Sequence, residues 1–134
     1  MRIALIVEYE GTEYGGFQYQ ANAPSIQQEL ERALFRVTGE GSRVAAAGRT
    51  DAGVHAKGQV VAFDTGTDHS PGTFVRALNF YLPEDIAIRG ASRAADGFDP
   101  RRMATSRRYT YTIYRGSTRS PLVRRRVCHI TERL

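Results

Sequence analysis

The chain has 134 residues, 41% of them hydrophobic and 25% charged, which fits one globular domain that buries a core without staples. Its lone cysteine, Cys128, excludes an intramolecular disulfide and favours a reducing cytoplasm, and the early apolar run at residues 3–7 is too short for a signal peptide or membrane span. The net charge of +5 is uneven: residues 1–100 hold eight arginines, one lysine and thirteen acids, whereas residues 101–134 hold ten arginines and one acid. Arginine presents a planar fork of donors that suits phosphate oxygens, so the basic C-terminal third points to a polyanion, nucleic acid first. The competing reading is a solvated basic face.

In chain order, residues 2–9 (RIALIVEY) are apolar and β-branched and predict a short buried strand. Residues 10–24 carry Gly11, Gly15, Gly16 and Pro24 and predict a long loop, a feature that in compact domains is often functional. Ser25 precedes Ile26, Leu30, Ala33, Leu34 and Val37, the apolar face of a helix. Ser25 with Gln28 forms a capping box, and Gly39 is the stop. Residues 44–48 predict a strand, 49–57 a loop and 59–63 a second strand. Ser70 and Pro71 start a helix that runs to about Tyr81, with Phe74, Leu78 and Tyr81 inward and Pro83 closing it. Residues 86–94 alternate as a strand. Residues 105–114 (TSRRYTYTIY) alternate again, with Tyr109, Tyr111 and Ile113 on one face.

The order is β-α-β-β-α-β with one added strand, a single α+β domain over residues 1–134 of the ferredoxin-like, RNA-recognition-like type. Helices then cover one face of a largely antiparallel sheet, and the other face is free to meet a ligand. The aromatic signature of ordinary RNA-recognition modules is missing.

The stretch AAAGRTDAGVHAKGQVVAF, residues 45–63, is the segment that carries chemistry. An apolar strand delivers Arg49 and Asp51 to its end, Gly53 permits a sharp turn, and the chain returns as a strand. A carboxylate and a guanidinium two residues apart are costly between buried strands unless paired or used. Taken alone, Arg-x-Asp is more often a structural turn with a solvated arginine. His55, His69 and His129 are scattered without zinc spacing, so no metal is expected.

The nine residues GRTDAGVHA resemble the signature of the TruA family of tRNA pseudouridine synthases. YEGTEYGGFQYQ (9–20), SIQQELERAL (25–34), ALNFYLPEDIAI (77–88) and ATSRRYTYTIY (104–114) resemble further family segments in the same order. The resemblance spans residues 1 to about 128. It implies isomerisation of uridine to pseudouridine in the anticodon arm of tRNA, at positions 38 to 40, without cofactor or metal, by a cytoplasmic homodimer.

By that resemblance Asp51 is the catalytic carboxylate beside the target ribose, as nucleophile or as base. Arg49 keeps it charged and helps hold the flipped nucleotide. Tyr109 stacks on the target base, although on residue pattern alone it reads as a core aromatic. Arg107 and Arg108 would contact phosphate. His55 is counted with the RNA-binding residues, its role a hydrogen bond that shapes the loop rather than proton transfer. Gly16, Phe17 and Gln18 would approach the RNA backbone. Two departures stand out. Where the family has a His-Ala pair after phenylalanine, this chain reads Phe98-Asp99-Pro100, and family enzymes are about twice as long, in two similar halves. The alternative is therefore a non-catalytic RNA-binding half that needs a C-terminal half. A domain serving only for assembly is weaker, because Asp51, Arg49 and Tyr109 are all present.

Overall fold

Alternation of apolar side chains along Arg2–Tyr9 makes this segment β1, with Ile3, Leu5, Val7 and Tyr9 buried on one side. In the computed structural model, which describes residues 1–131, β1 is the second strand from one edge of a four-stranded sheet. The sheet comprises β1, β2 (Ala45–Ala46), β3 (Ala56–Asp64) and β4 (Ile86–Ala94) in the order β2-β3-β1-β4, antiparallel throughout. This is the ferredoxin-like arrangement expected from the order of elements. The expected strand at 44–48 shrinks to two residues, although pairing continues where the Ala47 N–H donates to the Val60 carbonyl at 2.8 Å. β3 begins three residues earlier than expected, within the loop after Asp51.

Two helices cover the side of the sheet that bears Ile3, Leu5, Val61 and Phe63. Helix α1 (Ile26–Thr38) starts where the Ser25 hydroxyl accepts the Gln28 N–H at 3.1 Å and stops at Gly39, whose φ is 72°. It buries Ile26, Leu30, Ala33 and Leu34. Helix α2 (Pro71–Tyr81) starts where Ser70 accepts the Thr73 N–H at 3.2 Å. Phe74 of α2 meets Phe63 of β3 edge-on, with ring centroids 5.3 Å apart. Burial of such a side chain contributes about 2–3 kcal/mol. Tyr81 does not turn inward as expected. It is 41% exposed beneath the Arg36 guanidinium, and Leu82, four residues after Leu78, fills the inward position.

The fifth strand departs most from expectation. Residues 105–112 pair with nothing in the sheet, and only Ile113–Arg115 is extended and paired. This β5 runs parallel to β6 (Cys128–Ile130) in a separate two-stranded ladder. Tyr109, Tyr111 and Ile113 share a face by alternation, but no described layer lies against them and all three are exposed. The alternation 105–114 therefore had no buried side to report.

A short helix, α3 (Pro100–Met103), follows Phe98 and Asp99. Asp99 accepts the Arg101 and Arg102 N–H groups at 3.0 and 3.2 Å, and Pro100 takes the first helical position. Asp99-Pro100 thus starts a helix, with a cap and a residue whose missing N–H costs nothing there. α3 lies against β2 and β3 and buries Pro100. Arg2 fastens this region to the sheet by donating to the Phe98 carbonyl at 2.6 Å while pairing with Asp64 at 3.2 Å.

Candidate active site

The chain leaves β2 and reaches Asp51 through Gly48, Arg49 and Thr50. Gln59, buried on β3, grips Gly48 from both sides: its amide donates to the Gly48 carbonyl at 2.6 Å, and its carbonyl accepts the Gly48 N–H at 3.4 Å. The Thr50 hydroxyl lies 2.7 Å from the Tyr9 hydroxyl at the end of β1. After Asp51 the chain reverses in a turn closed by the Val54 N–H and the Asp51 carbonyl at 3.1 Å, with Gly53 at φ 79°. A side chain there would strain the left-handed backbone.

The long first loop, residues 10–24, braces this turn through its backbone. The Phe17 N–H donates to the Thr50 carbonyl at 3.0 Å, and the Gly53 N–H donates to the Tyr14 carbonyl at 3.3 Å. Gly16 has φ 102°, and a Cβ there would sit 2.9 Å from the Thr50 carbonyl oxygen. Its close approach is therefore to the Asp51 loop. Phe17 is 3% exposed and lies in the core beside Tyr9, ring centroids 6.3 Å apart. The expectation that Gly16 and Phe17 face RNA is corrected accordingly: both are buried and support the loop from beneath. Gln18, the next residue, is exposed.

His55 ties three segments. Its Nδ1 accepts the Gly11 N–H at 2.9 Å, and its Nε2 lies 2.8 Å from the Arg125 carbonyl. An acceptor at Nδ1 and a carbonyl at Nε2 require the neutral tautomer that carries its proton on Nε2. His55 thus bonds to the first loop through one ring nitrogen and to the 121–127 segment through the other.

Asp51 and Arg49 are both exposed at the end of this scaffold. Among the described residues, the Asp51 carboxylate has no cation within 4 Å. The expected Arg49–Asp51 pair is not formed. Thr50 turns inward to Tyr9, which leaves its two neighbours hydrated separately at the surface.

Arg107 is exposed but engaged by backbone through two of its three guanidinium nitrogens. Its Nε and Nη2 donate to the Ala47 carbonyl at 3.0 and 2.8 Å, and Nη2 also donates to the Arg101 carbonyl at 2.9 Å. This clasp holds residues 101–107 against the end of β2. It brings Tyr109 near the site: a Cβ built on Gly48 would lie 3.7 Å from the Tyr109 hydroxyl. The Tyr109 ring is 58% exposed and open to a stacking partner. Arg108 is exposed beside it.

Sequence reasoning missed Tyr9, Thr50, the Phe17 N–H and the Tyr14 carbonyl as supports. Burial raises the Tyr9 hydroxyl pKa above its ordinary value, against the lowering effect of Thr50 and Gln59. One signal was available for Gln59, a polar residue at a core-facing position of an otherwise apolar strand. Among the described residues, no cluster of three metal-ligating side chains occurs. Among the same described residues, no helix is long and apolar enough to cross a membrane.

A family model described as tRNA pseudouridine synthase matches residues 5–101, which include the whole Asp51 loop. The chain is 52% identical over 128 residues to tRNA pseudouridine synthase A of Geobacter sulfurreducens, covering 96% of this chain and 52% of that protein. It is 48% identical over 132 residues to the protein of the same name in Roseiflexus castenholzii, covering 98% and 49%. For Shewanella amazonensis the identity is 49% over 129 residues, covering 96% and 49%. The chain spans about half the length of the curated relatives it matches. With its sheet, braced loop and exposed Asp51 in place, the chain belongs to the tRNA pseudouridine synthase family.

Proposed function

We propose that this chain is the catalytic half of an enzyme that converts uridine to pseudouridine in tRNA, with Asp51 as its catalytic carboxylate. The observation that carries the reading is the Asp51 loop itself: a carboxylate exposed at the end of a backbone fixed from β1, β3 and the first loop. Preorganisation of this kind lets a group meet its substrate without reordering at the moment of reaction. In the reaction the bond from ribose C1′ to N1 of uracil breaks, the base turns, and C1′ bonds to C5. The C5 proton leaves and N1 gains one, so atoms balance with no oxidant or metal. Asp51 faces C1′ as nucleophile or base, Arg49 holds the extruded nucleotide, and Tyr109 stacks on the base. Arg108 and the arginines at 124–126 meet phosphates. The substrate uridines are those at positions 38–40 of the anticodon arm, and the enzyme is a cytoplasmic homodimer.

The test is pseudouridine formation in a transcribed tRNA by this chain, with Asp51→Ala as control. Product that depends on Asp51 supports the reading. Asp51→Ala should retain tRNA binding, because Asp51 makes no ion pair with a described residue, and product formed by that variant would sink the assignment. A second reading, an RNA-binding half that needs a C-terminal half for turnover, is favoured by one observation: residues 105–111, which carry Tyr109, pair with no described strand. Tight tRNA binding without product from this chain selects that reading.

A further inference from the structure

The arginine run at 124–126 is fastened twice next to the Asp51 loop. The Arg125 carbonyl meets His55 Nε2 at 2.8 Å. Its guanidinium pairs with Glu10 at 3.6 Å, on the wall of a cleft of about 390 Å³ lined also by Thr12, Glu13, Glu84 and Asp85. Both contacts are exposed; the carbonyl bond, at hydrogen-bond length, is the more directional, and the ion pair is screened. The other ring nitrogen of His55 is engaged with the Gly11 N–H, in the loop that braces Asp51.

We propose that His55 is a positioning residue with two separable tasks. Nδ1 locks the Asp51 loop to the first loop, and Nε2 moors the 121–127 segment so that its arginines meet the phosphates flanking the target nucleotide. The Nδ1 task needs that nitrogen unprotonated and the Nε2 task needs Nε2–H, so the two together require the Nε2–H tautomer. Only the phosphate clause rests on the tRNA reading above; the two ring bonds do not.

The imidazole geometry permits a split test. In His55→Asn the side-chain oxygen falls near the place of Nδ1 and can still accept from Gly11, but nothing reaches Arg125. In His55→Gln the amide falls near the place of Nε2 and can still donate to Arg125, but the Gly11 acceptor is lost. The Asn variant should keep slow amide exchange at Gly11, loosen residues 121–127 in backbone relaxation, and bind tRNA roughly fivefold more weakly, the size of one lost hydrogen bond. The Gln variant should do the reverse, with Gly11 exchange accelerated and tRNA affinity within about twofold of the parent. In the parent, ring nitrogen shifts should show protonated Nε2 and unprotonated Nδ1. Loss of both properties in both variants, retention of both in either, or the opposite tautomer overturns the inference. A parent that binds no tRNA at all sinks the substrate reading instead, and Gly11 exchange, segment relaxation and ring shifts still decide the two tasks.

Discussion

The two segments that carry the candidate chemistry are held in opposite ways. Asp51 sits at the end of backbone gripped by Gln59, Tyr9, Phe17 and Tyr14, all drawn from or adjoining the buried core. Tyr109 sits on a segment outside the sheet, fastened chiefly by the Arg107 clasp on the Ala47 and Arg101 carbonyls. The carboxylate is thus placed by the fold, while the aromatic is placed by one side chain. A substitution near Asp51 should therefore act through the stability of the whole domain. One near Tyr109 should act locally, on activity and mobility. Local opening is expected where few buried contacts oppose it.

The largest effect belongs to Asp51 itself: Asp51→Ala should remove isomerisation while shifting the melting temperature little. Next comes Gly11→Ala. A Cβ at Gly11 would collide with the Val54 backbone carbonyl, and backbone cannot swing aside as a side-chain tip does. We expect a loss on the order of 3 kcal/mol in unfolding free energy, read by urea titration. A variant as stable as the parent would show that the first loop braces nothing.

These contrasts also explain what the sequence could and could not disclose. Elements whose periodicity reports a buried face were legible to the residue: Arg2–Tyr9, Ile26–Thr38 with Ser25 and Gly39 at its ends, Pro71–Tyr81, and Ile86–Ala94. The strand expected over 105–114 failed because alternation describes a pattern of side chains and cannot say whether a second layer exists to cover them. The Asp51 loop was found through the resemblance of GRTDAGVHA, whereas its supports were hidden, since a backbone carbonyl from Tyr14 or Thr50 leaves no mark in residue identity. Phe17 and Gly16 misled for a related reason. A glycine beside an aromatic in a loop suits a ligand and a neighbouring backbone equally well, and here the neighbour is Thr50.

Arg107 offers the sharpest contrast with Gly11. Arg107→Gln breaks the fork of three donated hydrogen bonds, yet residues 105–112 contribute nothing to the sheet. The expected result is a melting temperature within about two degrees of the parent, with faster backbone motion over 105–112. Where the chain turns over tRNA, the rate should fall about tenfold, on the scale of a lost hydrogen bond to a charged group. Arg107→Lys should rescue only part of this, because an ammonium cannot reproduce the planar fork. Unfolding in step with the loss of rate would show that both segments are held by one cooperative unit.

The smallest effect isolates the link between β1 and the Asp51 loop. Tyr9→Phe keeps the ring that packs on Phe17 and removes only the hydroxyl beside Thr50. At neutral pH it should cost about 1 kcal/mol, the net worth of one hydrogen bond. Burial raises the Tyr9 pKa in the folded chain above its value near 10 in the unfolded chain. A raised acid of this kind contributes its stability in full below pH 10, and that contribution is lost as pH climbs through the folded value. The parent should therefore lose stability on the alkaline side that Tyr9→Phe does not lose. Tyr14, raised by burial and by its bond to Asp85, declines equally in both. The gap between the two melting curves should narrow above pH 10. A gap that stays constant would mean that the Tyr9 hydroxyl is not buried against the loop, and that β1 supports Asp51 through packing alone.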